Sequence, residues 1–207
     1  MIDVLVVGGG PVGLATAIRC ALAGLSVTVA EPRGTPIDKA CGEGVMPAAV
    51  RRLAALGVNP DGHPLLGIRY VDERHHADAR FRHGAGLGVR RTVLHAALAE
   101  RAAALGIPVL PTRVTAFEQC HSHVVAAGAE ARYLVAADGL HSTIRRVLEG
   151  GGAPRPTRAG GAALRAAEAL PGRAMDRPSR GTPDGRGRGL RHAGLPRCRR
   201  NRPAALP

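Results

Sequence analysis

The chain has 207 residues, of which 45% are hydrophobic and 2% aromatic, and it carries a formal net charge of +13. This length suits one sizeable domain. No apolar run is long enough for a membrane-spanning helix, and Met1 leads directly into the first predicted strand. We therefore expect a cytoplasmic protein with neither a transmembrane segment nor a signal peptide, and we leave open a peripheral contact with a membrane surface.

The positive charge is unevenly distributed. Residues 151–207 contain 13 Arg and three acidic residues, a balance of +10, which leaves +3 for the first 150 residues. The predicted folded part is thus close to neutral, and we expect no specific nucleic-acid binding. Arginines without interleaved aromatic residues fit only non-specific binding of RNA or another anionic surface.

The first 31 residues have the pattern of a dinucleotide-binding unit. A buried strand predicted at residues 3–7 runs into the segment GGGPVG at residues 8–13. An alanine-rich helix and a second strand at residues 26–30 follow, and Glu31 ends that strand. These parts stand in the order that a βαβ dinucleotide fold requires.

Each residue type in this unit has a physical role. Gly8 permits the tight turn after the strand, Gly10 lets the backbone approach a pyrophosphate, and Gly13 lets the helix lie close to the sheet. Pro11 suits the first helical turn, whose free N–H groups attract phosphates. Glu31 has no basic partner in the pattern, so we expect it to accept hydrogen bonds from both ribose hydroxyls.

Arg33 bears on which dinucleotide binds. It lies two residues after Glu31, where a guanidinium could contact a 2′-phosphate and thereby indicate NADP. Glu31 would repel that phosphate, so the pattern favours FAD or NAD. A plain NAD-dependent dehydrogenase is the alternative that this unit leaves open.

The remaining elements alternate between helix and strand, with one insertion. After a loop at 32–43, we predict helices at 47–56, 91–105 and 143–148 and strands at 65–72, 78–83, 107–110, 113–120, 123–127 and 131–137. The last three strands form an antiparallel meander, with a turn at Gly128 between the second and third. The predicted fold class is α/β, a Rossmann-like domain with an inserted antiparallel β-meander.

The four cysteines are far apart in sequence and show no C-x-x-C spacing. We therefore expect neither a zinc site nor a disulfide framework. The segment CHSH at residues 120–123 is interpreted as part of a half-exposed strand, whose side chains alternate between two faces. On that interpretation, the segment does not form a metal site.

Three ordered motifs resemble those of the FAD-dependent oxidoreductases of the p-hydroxybenzoate hydroxylase and geranylgeranyl reductase group. Residues 8–13 with Glu31 match the ADP-binding fingerprint of that family, RTVLHAAL at 91–98 matches its arginine-led helix, and ADGLHSTIRR at 137–146 matches its Asp-Gly motif. The resemblance implies FAD as prosthetic group, an organic small-molecule substrate and NAD(P)H as reductant. It also implies a monooxygenase or a geranylgeranyl-reductase-like enzyme.

The resemblance also implies a set of cofactor-binding residues. Arg91 would contact FAD, and Asp138 would lie near the pyrophosphate while capping the next helix. The segment DKACGEGVMP at 38–47 is similar to the loop by which geranylgeranyl-reductase-like members approach the flavin. Flavin disulfide reductases use a C-x4-C pair at a similar place, and Met46 stands where the partner of Cys41 would be, which excludes a dithiol mechanism. No catalytic residue is predicted. The full predicted set is Gly8, Gly10, Pro11, Val12, Gly13, Glu31, Arg33, Cys41, Gly42, Arg91, Asp138 and Gly139.

The predicted domain organisation follows from where the resemblance ends. Residues 1–150 form the FAD-binding domain, in which 65–89 begin a substrate-domain insertion. Residues 151–207 lack Val, Ile, Phe and Tyr, and Gly and Pro occupy 18 of their 57 positions, which predicts a disordered tail. A reading-frame shift in GC-rich coding DNA would produce such a composition, and this is a hypothesis that the encoding DNA tests.

Nothing after Gly150 resembles the C-terminal part of the family, so we expect a chain truncated after the Asp-Gly motif that lacks the C-terminal catalytic part. Two alternatives stay open. One is an NAD-dependent dehydrogenase fragment. The other is a non-enzymatic remnant with an Arg-rich, anion-binding tail.

Overall fold

The computed structural model describes residues 1–39, 41, 43–149 and 198–201. Its helices are α1 (Pro11–Leu22), α2 (Pro47–Ala55), α3 (Arg91–Ala104) and α4 (Thr143–Leu148). Its strands are β1 (Ile2–Val7), β2 (Val27–Ala30), β3 (Gly44–Val45), β4 (His63–Leu65), β5 (Gly67–Val71), β6 (His76–Arg80), β7 (Gly86–Gly88), β8 (Val109–Leu110), β9 (Phe117–Gln119), β10 (Val124–Ala126), β11 (Ala129–Ala136) and β12 (Arg199–Asn201). Within these described ranges, no helix combines the length and the apolar character needed to cross a bilayer.

A seven-stranded sheet, in the order β12-β9-β10-β11-β1-β2-β8, is the centre of the fold. β1 lies between β11 and β2, and both neighbours run parallel to it. Ile18 of α1 and Leu98 of α3 pack on one face of the sheet, and Ile144 of α4 packs on the other. Residues 4–7 of β1 are therefore buried, which explains why these four positions are a continuous apolar run.

The predicted α/β fold with an inserted meander is confirmed. β9, β10 and β11 pair antiparallel, and β11 then joins β1 in parallel. The predicted turn lies between β10 and β11, where Ala127 and Gly128 have φ values of 53° and 73°. Two successive positive φ angles suit a tight hairpin because they match the twist of the strands.

Two smaller sheets lie between β2 and α3 in sequence. β5 and β6 form the hairpin that the predicted strands at 65–72 and 78–83 indicate. The three-stranded sheet β3-β7-β4 is absent from the sequence prediction. Its strands have only two or three residues and include Pro64, Gly86 and Gly88, which weaken the sequence signal of a strand.

Two expectations about the cysteines and the tail are wrong. Cys120 and Cys198 form a disulfide, and residues 199–201 form β12 antiparallel to β9 although they belong to the predicted disordered tail. Both errors arise because strand register, and not sequence spacing, decides which residues meet. The rest of the predicted tail, residues 151–197 and 202–207, lies outside the described residues.

Candidate dinucleotide site

Glycine builds the turn between β1 and α1. Gly8 has a φ of 106°, and a Cβ there would overlap the carbonyl group of Ala137. A Cβ on Gly13 would overlap the carbonyl oxygen of Gly8, so the close approach of α1 to this turn depends on the missing side chain. Both positions thus require glycine for the reasons that the motif predicts.

The amino end of α1 is accessible to a ligand. Gly10 is the N-cap residue and makes no side-chain capping bond, and Pro11 follows in a first turn without an acidic residue. The nearest atom to a Cβ built on Gly10 is Nη2 of Arg91, at 3.8 Å, so there is open space above the backbone. Val12 on the same turn is 52% exposed. Unpaired amides at a helix amino end favour an anion in that space.

Glu31 follows β2 directly and is 4% exposed. Its Oε1 accepts hydrogen bonds from the backbone N of Arg33 at 3.0 Å and from Nε of Arg33 at 2.8 Å. Its Oε2 accepts from the backbone N of Gly9 at 2.8 Å and from Nη2 of Arg33 at 3.0 Å. Burial raises the pKa of the Glu31 carboxyl, but these hydrogen bonds and the charge of Arg33 outweigh burial and hold the pKa below its ordinary value.

These contacts correct two expectations. Glu31 does have a basic partner, because the chain turns after β2 and brings the Arg33 guanidinium onto the carboxylate. The same guanidinium is engaged in a two-pronged ion pair and is not free to contact a 2′-phosphate. A carboxylate accepts about four hydrogen bonds, so Glu31 is saturated by its own chain in this structure.

His95 is a site residue that no sequence motif indicates. It is 1% exposed, its Nδ1 accepts the N–H of Ile37 at 3.4 Å, and its Nε2 lies 2.9 Å from the carbonyl oxygen of Gly9. Because Nδ1 is the acceptor, the proton of the neutral ring is assigned to Nε2, which donates to Gly9. His95 therefore fastens the glycine-rich turn to α3. A polar residue three positions before Leu98, on the apolar face of the helix, is the signal that could have identified it.

Two buried polar atoms flank the glycine-rich turn without a hydrogen-bond partner among the described residues: Nε of Arg91 and Oδ1 of Asp138. Arg91 begins α3 on the side of Gly10. Asp138 lies next to Gly8, since its Cα is 2.9 Å from a Cβ built on Gly8. The second oxygen of Asp138 accepts from the backbone N of Thr143 at 2.8 Å, which caps α4 as predicted. Each unpaired atom costs free energy until a ligand or water pairs with it.

The remaining predicted residues belong to the Asp-Gly turn and to the loop after Glu31. Gly139 has a φ of 90°, and a Cβ there would lie 3.5 Å from Nζ of Lys39. Lys39 is thus a second cation near the turn; it lies in the segment 38–47 but is not among the predicted site residues. Cys41 is exposed and its thiol is free, whereas Gly42 lies outside the described residues.

A cavity of about 380 Å³ adjoins the carboxylate of Glu31. Its lining includes Gly9 of the turn, Ile37 of the loop after β2, and His95, Ala96 and Ala99 of α3. This volume is within the range of about 300–1,000 Å³ that is usual for small-molecule sites. The site therefore combines a cavity beside Glu31 with an accessible helix end.

The sequence matches the FAD binding domain family over residues 1–159, which is more than half of the chain. The chain belongs to this family. The resemblance expected from the three motifs is thus confirmed for the flavoprotein family. The membership also agrees with the FAD-binding fold class predicted from the sequence.

A solved hydroxylase and a solved monooxygenase share the fold of this FAD-binding chain. It is 30% identical to the OxyS anhydrotetracycline hydroxylase from Streptomyces rimosus, with a TM-score of 0.61 over 72% of this chain and 34% of the hydroxylase. The p-nitrophenol 4-monooxygenase PnpA from Pseudomonas putida DLL-E4 has a TM-score of 0.62 at 21% identity, over 70% of this chain and 42% of that enzyme, and shows the fold alone.

A shorter sequence match links the FAD-binding chain to a quinone enzyme. Over 56 residues the chain is 50% identical to the menaquinone reductase of Mycolicibacterium smegmatis. The matched segment is 27% of this chain and 14% of the reductase. The chain thus spans less than half the length of each of these relatives.

The chemistry of the site fits FAD. A pyrophosphate needs N–H donors and positive charge, which the amino end of α1 and the unpaired Nε of Arg91 supply. A sugar or ribityl hydroxyl needs an acceptor, which the unpaired Oδ1 of Asp138 supplies. The absence of a Cβ on Gly10 leaves the space in which the two phosphates would lie.

Proposed function

We propose that this chain is the cofactor-binding part of an FAD-dependent oxidoreductase that acts on an organic small molecule, with NAD(P)H as reductant. The observation that carries the proposal is the pair of unpaired buried atoms, a donor on Arg91 next to Gly10 and an acceptor on Asp138 next to Gly8. A helix end that only packs against the sheet would not need them.

In this proposal each part of the site has a defined task. The turn at residues 8–13, with Gly8, Gly10, Pro11, Val12 and Gly13, holds the pyrophosphate together with Arg91. Glu31 accepts the ribose hydroxyls after Arg33 moves away, and Asp138 with Gly139 binds a hydroxyl nearer the flavin. Cys41 belongs to the loop at the flavin end. FAD supplies the electron-transfer chemistry when bound, and the chain positions it.

The decisive test compares two neighbouring arginines. We expect Arg91→Met to weaken FAD binding at least about tenfold, because a charged hydrogen bond contributes about 1.5–3 kcal/mol. The matched control is Arg90→Met, which removes the same charge from the adjacent, exposed N-cap position. Flavin fluorescence titration of the full chain measures both affinities. Equal affinities would contradict the proposed role of Arg91, and tighter binding of NAD than of FAD would favour a dehydrogenase.

The proposed reaction is a reduction, with a quinone-like isoprenoid molecule as substrate. Its support is the 50% identity to menaquinone reductase over 56 residues, together with the reductase-like loop at 38–47. Hydroxylation with dioxygen is the second candidate, and the 30% identity to the OxyS hydroxylase supports it.

Oxygen dependence separates the two reactions. The full chain loaded with FAD is given NADH or NADPH, with and without menaquinone and with and without oxygen. Anaerobic oxidation of the nicotinamide that depends on menaquinone supports reduction. Oxidation that requires oxygen and yields a hydroxylated product supports the second candidate. If neither nucleotide bleaches the flavin, NAD(P)H is not the reductant of this chain.

A further inference from the structure

The three strands at one end of the large sheet, β12, β9 and β10, place two cysteines and a histidine in one row. β10 pairs with β9 through Val124 opposite Gln119, and β12 pairs with β9 through Arg199 opposite the same residue. In antiparallel pairing, one step along β9 brings Cys120 opposite His123 on one side and opposite Cys198 on the other. The amide N of Cys120 donates to the carbonyl oxygen of His123 at 2.9 Å, which confirms this register.

Residues in one row of a sheet point to the same face. The sulfur atoms of Cys120 and Cys198 and a ring nitrogen of His123 accordingly lie within 4.8 Å of one another. The expectation that residues 120–123 divide between two faces is wrong, because Cys120 and His123 lie on opposite sides of a hairpin and not on one strand. Cys120 and His123 are half-buried, whereas Cys198 is exposed.

We infer that this row, when its disulfide is reduced, is a site for a thiophilic divalent cation of the Zn²⁺ class. Two thiolates and one imidazole are the ligands that such a cation prefers. A tetrahedral ion with Zn–S of about 2.3 Å needs neighbouring ligand atoms ~3.3–3.8 Å apart, so small side-chain rotations from the present separation suffice. Three protein ligands leave the fourth position to water, next to the exposed Cys198.

The two states of the row are connected by a balanced reaction. A dithiol reductant gives two electrons and two protons to the Cys120–Cys198 disulfide, whose S–S bond breaks, and the reductant becomes a disulfide itself. The cation then binds both sulfurs as thiolates and releases the two thiol protons to solvent. The metal thus takes over from the disulfide as the link that holds β12 against β9.

Cobalt(II) reports this site directly, because thiolate ligands give it intense charge-transfer absorption. The full chain is used with Cys20→Ala and Cys41→Ser, which removes both free cysteines and leaves the pair. We expect one Co²⁺ per reduced chain with thiolate absorption, and none for the oxidised chain or for Cys198→Ser. His123→Ala should weaken Co²⁺ binding at least about tenfold, whereas His121→Ala, an exposed histidine of the same turn, should leave it unchanged.

Replacement of the histidine ligand by another ligand shows whether His123→Ala loses Co²⁺ only because it misfolds. His123→Cys should retain Co²⁺ and strengthen the thiolate absorption, because it replaces one ligand by another. The inference is overturned if the reduced chain shows no thiolate absorption with Co²⁺. Equal Co²⁺ affinity of the His123→Ala and His121→Ala variants, or loss of the absorption in His123→Cys, overturns it as well.

Discussion

Arg33→Ala tests how a ribose could reach a carboxylate that its own chain saturates. The substitution removes the donors Nε and Nη2, one from each oxygen of Glu31. The backbone N of residue 33 stays on Oε1, and the backbone N of Gly9 stays on Oε2. Each oxygen is therefore left with one acceptor position, and together these two positions match the two hydroxyls of a ribose.

The magnitude follows from the exposure of the ion pair. The Arg33 side chain is 53% exposed, so solvent screens its attraction to Glu31, and such pairs are worth about 0.2–1 kcal/mol. In the proposed binding mode, FAD displaces this ion pair before its ribose binds to Glu31. Removing the guanidinium should therefore tighten FAD binding about 1.4- to 5-fold.

Flavin fluorescence titrations at several salt concentrations measure this effect. Arg74→Ala is the control, since it removes the same charge from the exposed turn between β5 and β6. The advantage of Arg33→Ala should shrink at high salt, where the ion pair of the natural chain is already weakened. Binding of FAD by Arg33→Ala that is equal to or weaker than that by Arg74→Ala would refute this reasoning, because the guanidinium would then contact the cofactor.

Four further predictions concern the stability and openness of the turn and of the residues that hold it. Gly13→Ala should lower the free energy of unfolding by about 1–3 kcal/mol, because the added methyl group overlaps backbone, as urea titration will show. Gly10→Ala, with no atom closer than 3.8 Å to its Cβ, should keep stability within about 1 kcal/mol yet weaken FAD binding about tenfold or more. The depressed pKa of Glu31 stabilises the fold above its ordinary value of 4.5, so the stability advantage over Glu31→Gln should disappear as the pH falls through the lower, folded-state pKa. His95→Leu leaves two buried backbone groups unpaired and should cost about 1–3 kcal/mol for each in the same unfolding assay.

The dinucleotide unit could be predicted from sequence because its determinants are local. Strand, turn, helix and acidic residue all lie within the first 31 residues, and the glycines follow from backbone geometry that one short segment fixes. Helix α3 is predicted equally well, since Leu98 lies on its buried face as the periodicity indicates. In both cases the pattern itself is set by residues a few positions apart, such as Gly8 and Gly13, so a short segment of sequence records it. The contact of Gly8 with Ala137 is not recorded in this way.

Contacts that depend on register or on irregular chain direction are not recorded in such a pattern. Cys120 and Cys198 are 78 residues apart, and only the pairing of β12 with β9 brings them together. Arg33 is close to Glu31 in sequence, but it follows the end of β2, where the regular alternation of a strand stops. No periodicity therefore predicts the direction of the Arg33 side chain. His95 meets Gly9 across 86 residues.

The structure divides the polar groups of the site into those satisfied by the protein and those left for a ligand. His95 and Glu31 hold Gly9 from both of its backbone groups, so the turn is fixed before any ligand arrives. A preformed turn spares a ligand the free energy of ordering it, which increases affinity. The atoms without partners belong to Arg91, next to Gly10, and to Asp138, next to Gly8. Among the described residues, these are the two buried side-chain atoms left unpaired, and a phosphate and a hydroxyl of FAD would pair with them. This selectivity is the physical argument for a cofactor rather than for packing alone.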